Sequence, residues 1–406
     1  MKAFAPSNAP LTPAISLGAL GERESGSLHR SRRHAFNSPY APPGIPSPWG
    51  EGQSEGERRS DRLPRLKNYP QQIRISEAPT PNLNSPQIPR RKFLAATLPA
   101  AAALAAIPSA AAPATGKAPV IDTHMHVWSG DLSRFPFAHP YDPNLKPPQI
   151  AATVELLVKE MDEFGITHCV LVQTIYHGWD NRYLAQCVKA HPQRFRGHGL
   201  IDPTDPKVAD KLEYWVREHG LAGMRFSPIY YEGKDGWLNA PASRALWQRA
   251  EALDAIFNFF IATPQLPKLE EMVRNFPRVQ VVIDHLARID LKAADPSVEF
   301  KKLLALARYP NVWVKASELS VLSPSANYPY ADTFPWVRRM YEAFGPDRLL
   351  WGTGFPGATR GQAGRPSLSE ELDLIRKEIP FFSAEVREKI LGRNAARLWL
   401  FGFGQK

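Results

Sequence analysis

Val120-Ile121-Asp122-Thr123-His124-Met125-His126-Val127 starts as an apolar, β-branched run of strand length and closes on two histidines. Such a run reads as a strand, and its ending separates two architectures. An open doubly wound sheet would follow its first strand with a G-x-G-x-x-G turn that cradles a dinucleotide phosphate. No such turn is present. Alternation along a strand instead sets His124 and His126 on the same face. Two imidazoles converging at a strand end have a spacing that a divalent metal can use.

Outward from this stretch the pattern repeats. Strand-length apolar runs recur at 168–174, 196–201, 222–226, 257–262, 279–285, 312–316 and 349–353. Helix-length amphipathic segments lie near 152–164, 180–190, 206–219, 242–254, 266–275, 298–308, 334–344 and 368–378. Near-continuous apolar strands suit a parallel sheet covered by helices on one side and filled on the other. Eight βα units in about 260 residues predict the α/β class and a closed (β/α)8 TIM barrel. A last helix over 384–400 would close the domain.

In such a barrel the chemistry gathers at the C-terminal ends of the strands. Besides His124 and His126, those ends offer His285 on the sixth strand and Arg225 on the fourth, suited to a substrate carboxylate or an oxyanion. Glu318 lies just past the seventh strand. Asp284 is expected to turn to the opposite face and pair there, and Lys315 is either interior or buried against a helix. Tyr176 and His177 lie in the loop after the second strand and are candidate substrate contacts. His198 on the third strand points in or out. Aromatic residues of the loops, such as Trp128, Tyr141 and Tyr330, either line an apolar pocket or pack the loops.

The composition is that of a globular chain: 406 residues, 43% hydrophobic and 22% charged. The net charge of +10 is concentrated in the first 113 residues, which hold 14 of the 50 Lys+Arg and 7 of the 40 Asp+Glu, a balance of +7. The remaining body carries only +3, which argues against a nucleic-acid footprint. Cys169 and Cys187 cannot build a disulfide framework and read as small buried apolar residues. Residues 1–88 are rich in Pro, Ser, Gly and Arg, lack valine, and read as a disordered extension. Arg90-Arg91-Lys92-Phe93-Leu94, the apolar run to Ile107 and the small residues to Ala114 read as a twin-arginine-type signal over 89–114. The run is too short and too Ala-rich for a stable membrane span. The export machinery is then a partner, and the location is periplasmic or secreted. Because signals begin near an N-terminus, the translation start is expected downstream of Met1, at a codon other than ATG. N-terminal sequencing of the mature chain separates these readings. The barrel domain then spans 115–406, and a homo-oligomer is compatible with the sequence.

Four motifs in order resemble the amidohydrolase-related family. They are Ile121–His126, Val281–Arg288, Leu349–Pro356 and Lys389–Trp399. This branch of the amidohydrolase superfamily holds lactonases of dicarboxylate and sugar-lactone type, and decarboxylases related to aminocarboxymuconate-semialdehyde decarboxylase. The resemblance covers about 119–401. It implies a metal, zinc first, at His124, His126 and His285. It also exposes two departures. The fifth strand has no histidine, and Gly354 stands where members commonly carry an aspartate that binds metal or serves as general base. Metal binding is therefore expected to be weak or absent. Glu318, where members often have a small residue, becomes the candidate replacement base. The expected activity is an exported hydrolase that adds water to a lactone, ester or amide carbonyl of a small substrate, with Arg225 as anchor and His124, His126 and His285 either holding a metal or polarising the carbonyl directly. A metal-dependent non-oxidative decarboxylase and a catalytically dead, ligand-binding barrel are the alternatives.

Overall fold

Eight parallel strands pair in chain order in the computed structural model, which describes residues 118–401 apart from 143 and 145–147. The expected extension over 1–88 and signal over 89–114 lie outside the described residues. The strands are β1 (Ile121–Met125), β2 (His168–Val172), β3 (Phe195–Gly199), β4 (Gly223–Phe226), β5 (Ile256–Phe259), β6 (Val281–Ile283), β7 (Val312–Lys315) and β8 (Leu349–Leu350). Backbone bonds beyond β8 close the sheet onto β1. Thr123 donates to the Trp351 carbonyl at 3.0 Å, His126 to that of Gly354 at 2.8 Å, and Gly354 to that of His124 at 2.6 Å. All eight expected strands are present, and the sheet is that of a (β/α)8 barrel.

The helices α1 (Val154–Phe164), α2 (Arg182–Ala190), α3 (Val208–Arg217), α4 (Ser243–Ala252), α5 (Leu266–Asn275) and α6 (Pro296–Ala305) follow the first six strands in turn. Helical segments from Phe334 and from Leu368 follow the last two. The first shows how the sequence sets them. Thr153 accepts from the Leu156 N–H and so caps α1, while Val154, Leu157 and Met161 recur on one buried face.

Strand alternation divides the core in two. Outward residues such as Cys169 and Leu171 join the helices, whereas Ile121, Val170, Val172, Val282 and Leu350 fill the barrel. The C-terminal segment seals that filling with Leu398 and Trp399, and the Trp399 indole donates to His198 Nε2 at 2.8 Å. His198 thus points inward and belongs to the floor. Cys169 and Cys187 are free and buried. Among the described residues no helix is long and apolar enough to cross a membrane.

Candidate active site

The histidine pair is set by β1 and by its junction with β8. His124 and His126 lie on one face with their Nε2 atoms 3.3 Å apart. His126 Nδ1 donates to the Val172 carbonyl on β2 at 2.8 Å. Behind the pair, the Asp122 carboxylate accepts from the His124 N–H at 2.9 Å and the Thr353 hydroxyl at 2.6 Å. Residue 352 has to be glycine, because a Cβ there would stand 2.7 Å from the His124 Cβ. Gly354 has a φ of +100°, and a Cβ at that position would meet open space.

At β6 the expectation for Asp284 is corrected. The strand stops at Ile283, and His285, Leu286, Ala287 and Arg288 all take left-handed conformations, with φ between 48° and 53°. Alternation fails once the chain leaves the extended form, so Asp284 and His285 both reach the site. Asp284 Oδ2 accepts from Arg225 Nε at 3.0 Å, and Oδ1 lies 2.9 Å from Lys315 Nζ and 3.6 Å from His124 Nδ1. The His285 ring centroid is 4.5 Å from that of His124, and its Nδ1 bonds the Ser317 hydroxyl at 2.8 Å. Lys315, left open by the sequence, is interior and fully buried.

Glu318 follows β7 with a φ of 58° and reaches the same centre. Its Oε1 is 3.6 Å from His285 Nε2 and 2.7 Å from Arg365 Nη2, and its Oε2 accepts from Arg288 Nη1 at 2.9 Å. Phe260, on the stretch where a fifth-strand histidine is missing, lies under the Arg225 guanidinium at 4.5 Å, a cation–π contact. Arg288 and Phe260 sit in or beside motifs the sequence already singled out. Arg365 lies far along the chain from any strand end, and no sequence signal marks it.

The loop residues are more remote. His177 is buried, with Nδ1 against the Pro136 carbonyl at 3.2 Å and its ring against Phe137. Tyr176 connects to the centre through aromatic neighbours: its ring meets Trp128, Trp128 meets Phe355, and Phe355 meets His126. Tyr141 stacks on Tyr230, whose ring in turn meets Phe260.

Burial makes the histidines neutral. It lowers His124 and His285 well below the usual imidazole range and His126 to about 4, with Lys315 adding to the effect at His124 and Arg225 at His126. Burial alone would raise Asp284, but the cations Lys315 and Arg225 outweigh it and hold the carboxyl well below its usual range. Glu318 behaves likewise: burial pushes it up, and Arg365 and Arg288 bring it below normal. The centre therefore consists of neutral imidazoles between two ionised carboxylates and the cations Arg225, Arg288, Arg365 and Lys315.

Among the described residues, His124, Asp284 and His285 offer atoms within 4.8 Å of one another, a donor set of the kind that zinc accepts. His126 is not one of the three. Lys315 Nζ contacts two of the three residues, His124 Nδ1 at 3.0 Å and Asp284 Oδ1 at 2.9 Å, and so competes with a metal at those two atoms.

Two further buried acids lie behind the site. Burial raises Asp122 to about 6 and Glu371 to about 8. A raised folded pKa means that the folded chain binds the proton more tightly, so stability falls as pH rises towards that value. From pH 7 to 8 the buried histidines lose their remaining protons only in the unfolded chain, which raises stability with pH, while Glu371 lowers it. The Glu371 contribution to unfolding free energy should drop there by about 1 kcal/mol per pH unit. Denaturant titration should give Glu371→Gln a pH slope of stability more positive than that of wild type by this amount; equal slopes would refute the assignment.

Comparison with known proteins agrees with this geometry. The family model described as amidohydrolase matches residues 121–401. The 2-pyrone-4,6-dicarboxylate hydrolase of Comamonas testosteroni is 29% identical over 303 residues, covering 69% of this chain and 89% of its own. The 4-sulfomuconolactone hydrolase of Rhizobium radiobacter is 30% identical over 281 residues, covering 68% of this chain and 89% of its own. In fold, the chain resembles a Burkholderia multivorans amidohydrolase crystallised with bound zinc, with a TM-score of 0.57, 20% identity, and coverage of 70% and 99%.

Proposed function

The chain belongs to the amidohydrolase family, and on that premise we propose that it hydrolyses a lactone bearing an acidic group. The observation that carries this reading is the gathering of Arg225, Arg288 and Arg365 on Asp284 and Glu318, the two carboxylates beside the strand-end imidazoles. Guanidinium groups bind carboxylate and sulfonate oxygens in charge-assisted pairs. The names of the two relatives contain a dicarboxylate and a sulfo-lactone, which supports an anionic substrate.

In the proposed reaction the substrate's acidic group anchors on the arginines, and its carbonyl oxygen faces Arg225 and the His285 imidazole. Water bonds to the carbonyl carbon, and Glu318 takes its proton. The ring C–O bond then breaks, and the proton returns to the leaving oxygen, so that one water is consumed and a hydroxy acid or its keto tautomer forms. Glu318 serves here for the strand 8 aspartate that Gly354 replaces. Tyr176 and His177 shape the outer wall through the aromatic loop. The same reading takes the protein as exported on its twin-arginine-type leader.

A substrate panel tests the reading. Lactones carrying a carboxylate or sulfonate should be cleaved with kcat/KM about 10–100-fold above their neutral analogues, the equivalent of one charged hydrogen bond. Equal turnover of neutral lactones, or turnover of amides alone, would overturn it.

A further inference from the structure

We infer that Lys315 is the resident cation of this centre: its ammonium lies between Asp284 Oδ1 and His124 Nδ1, where it competes with a metal, and fixes the direction of the hydrogen bonds through the histidine pair. The position follows from the strand. Along β7, Val312 and Val314 pack outward against the helices, so Trp313 and Lys315 point into the barrel. Lys315 ends fully buried, 2.9 Å from Asp284 Oδ1 and 3.0 Å from His124 Nδ1.

The hydrogen-bond direction can be read from the far end of the chain, independently of the lysine. A carbonyl oxygen only accepts, so the Val172 carbonyl requires the His126 proton on Nδ1. In a neutral imidazole this leaves Nε2 of His126 as an acceptor. Its contact at 3.3 Å with His124 Nε2 then requires the His124 proton on Nε2. His124 Nδ1 is left as an acceptor, and Lys315 Nζ, a donor-only group, is the atom that faces it. The two ends agree: Lys315 donates to His124, His124 to His126, and His126 to Val172.

Every lone pair in this row is already used. A metal at His124 and Asp284 would have to displace the ammonium and also reverse or break the row. Lys315 is thus a positioning residue. It neutralises Asp284 and sets the His124 tautomer, the two tasks that a divalent ion with its second-shell partners performs elsewhere. This inference concerns metal and proton placement and stands whether or not the substrate is a lactone.

The test reads metal content and imidazole protonation instead of turnover. The full chain and Lys315→Met, which keeps an apolar side chain of similar length, are stripped with chelator, titrated with Zn²⁺, desalted and analysed for zinc. Wild type should retain well below one zinc per chain. Lys315→Met should bind zinc roughly 10–100-fold more tightly, the scale on which second-shell changes act. Stoichiometric zinc in wild type, or no gain in the folded variant, overturns the inference. Should the variant not fold, ¹⁵N–¹H long-range spectra of wild-type histidines decide. His124 protonated at Nε2, with Nδ1 unprotonated and unmoved by Zn²⁺, supports the inference. The opposite tautomer, or a zinc-induced shift at His124, overturns it.

Discussion

Glu318→Gln should lower kcat on a cleaved lactone by about 10²–10⁴-fold, the usual cost of losing a positioned general base. Glutamine is nearly isosteric and its amide oxygen can still accept from one arginine, so packing changes little. It cannot take a proton from water. The split between kcat and KM separates two roles. A fall in kcat at nearly constant KM marks the base. A rise in KM with kcat preserved would mean that Glu318 only seats Arg288 and Arg365, and the base would have to be sought elsewhere. The two guanidiniums that hold Glu318 below its usual pKa also make it a weak base, so activity should persist well below neutral pH. Restoring a carboxylate by Gly354→Asp is not a clean converse experiment, because a φ of +100° is strained for any residue with a side chain.

Asp284→Ala should produce the largest loss of stability. Asp284 is fully buried and accepts from Arg225 while pairing with Lys315. Its removal leaves two buried cations without their shared counter-charge, a change that typically costs about 3–5 kcal/mol. Denaturant unfolding of the two proteins at pH 7 measures it. The sign with pH follows from the depressed folded pKa. The stabilisation is present above the ordinary carboxylate range and is lost as pH falls through the folded value. The gap between wild type and variant should therefore narrow in acid. A loss below about 1 kcal/mol at pH 7 would show that water or other groups already hold the cations.

The fold was legible because its signal is periodic. Eight apolar runs alternating with amphipathic segments need no knowledge of tertiary contacts, and the observed strands differ mainly in being shorter. His124, His126, His285 and Arg225 were legible for the same reason, since strand ends in a barrel face one site. Asp284 was misjudged because alternation holds only while the backbone stays extended, and the turn after Ile283 leaves that form within two residues. Lys315 could not be oriented from one strand alone, as its environment depends on Asp284 and His124 from two others. Arg365 arrives from a loop with no periodic pattern, so its partnership with Glu318 exists only in three dimensions.

The four left-handed residues after β6 have a mechanical consequence. Each conformation of this kind costs a side-chain-bearing residue roughly 1–2 kcal/mol, so the turn from His285 to Arg288 acts as a wound spring inside a stable barrel. It is clamped at one end by His285 on Ser317 and at the other by Arg288 on Glu318. Both clamps belong to the β7 side. Loosening that side would therefore act on the imidazole and the guanidinium at once.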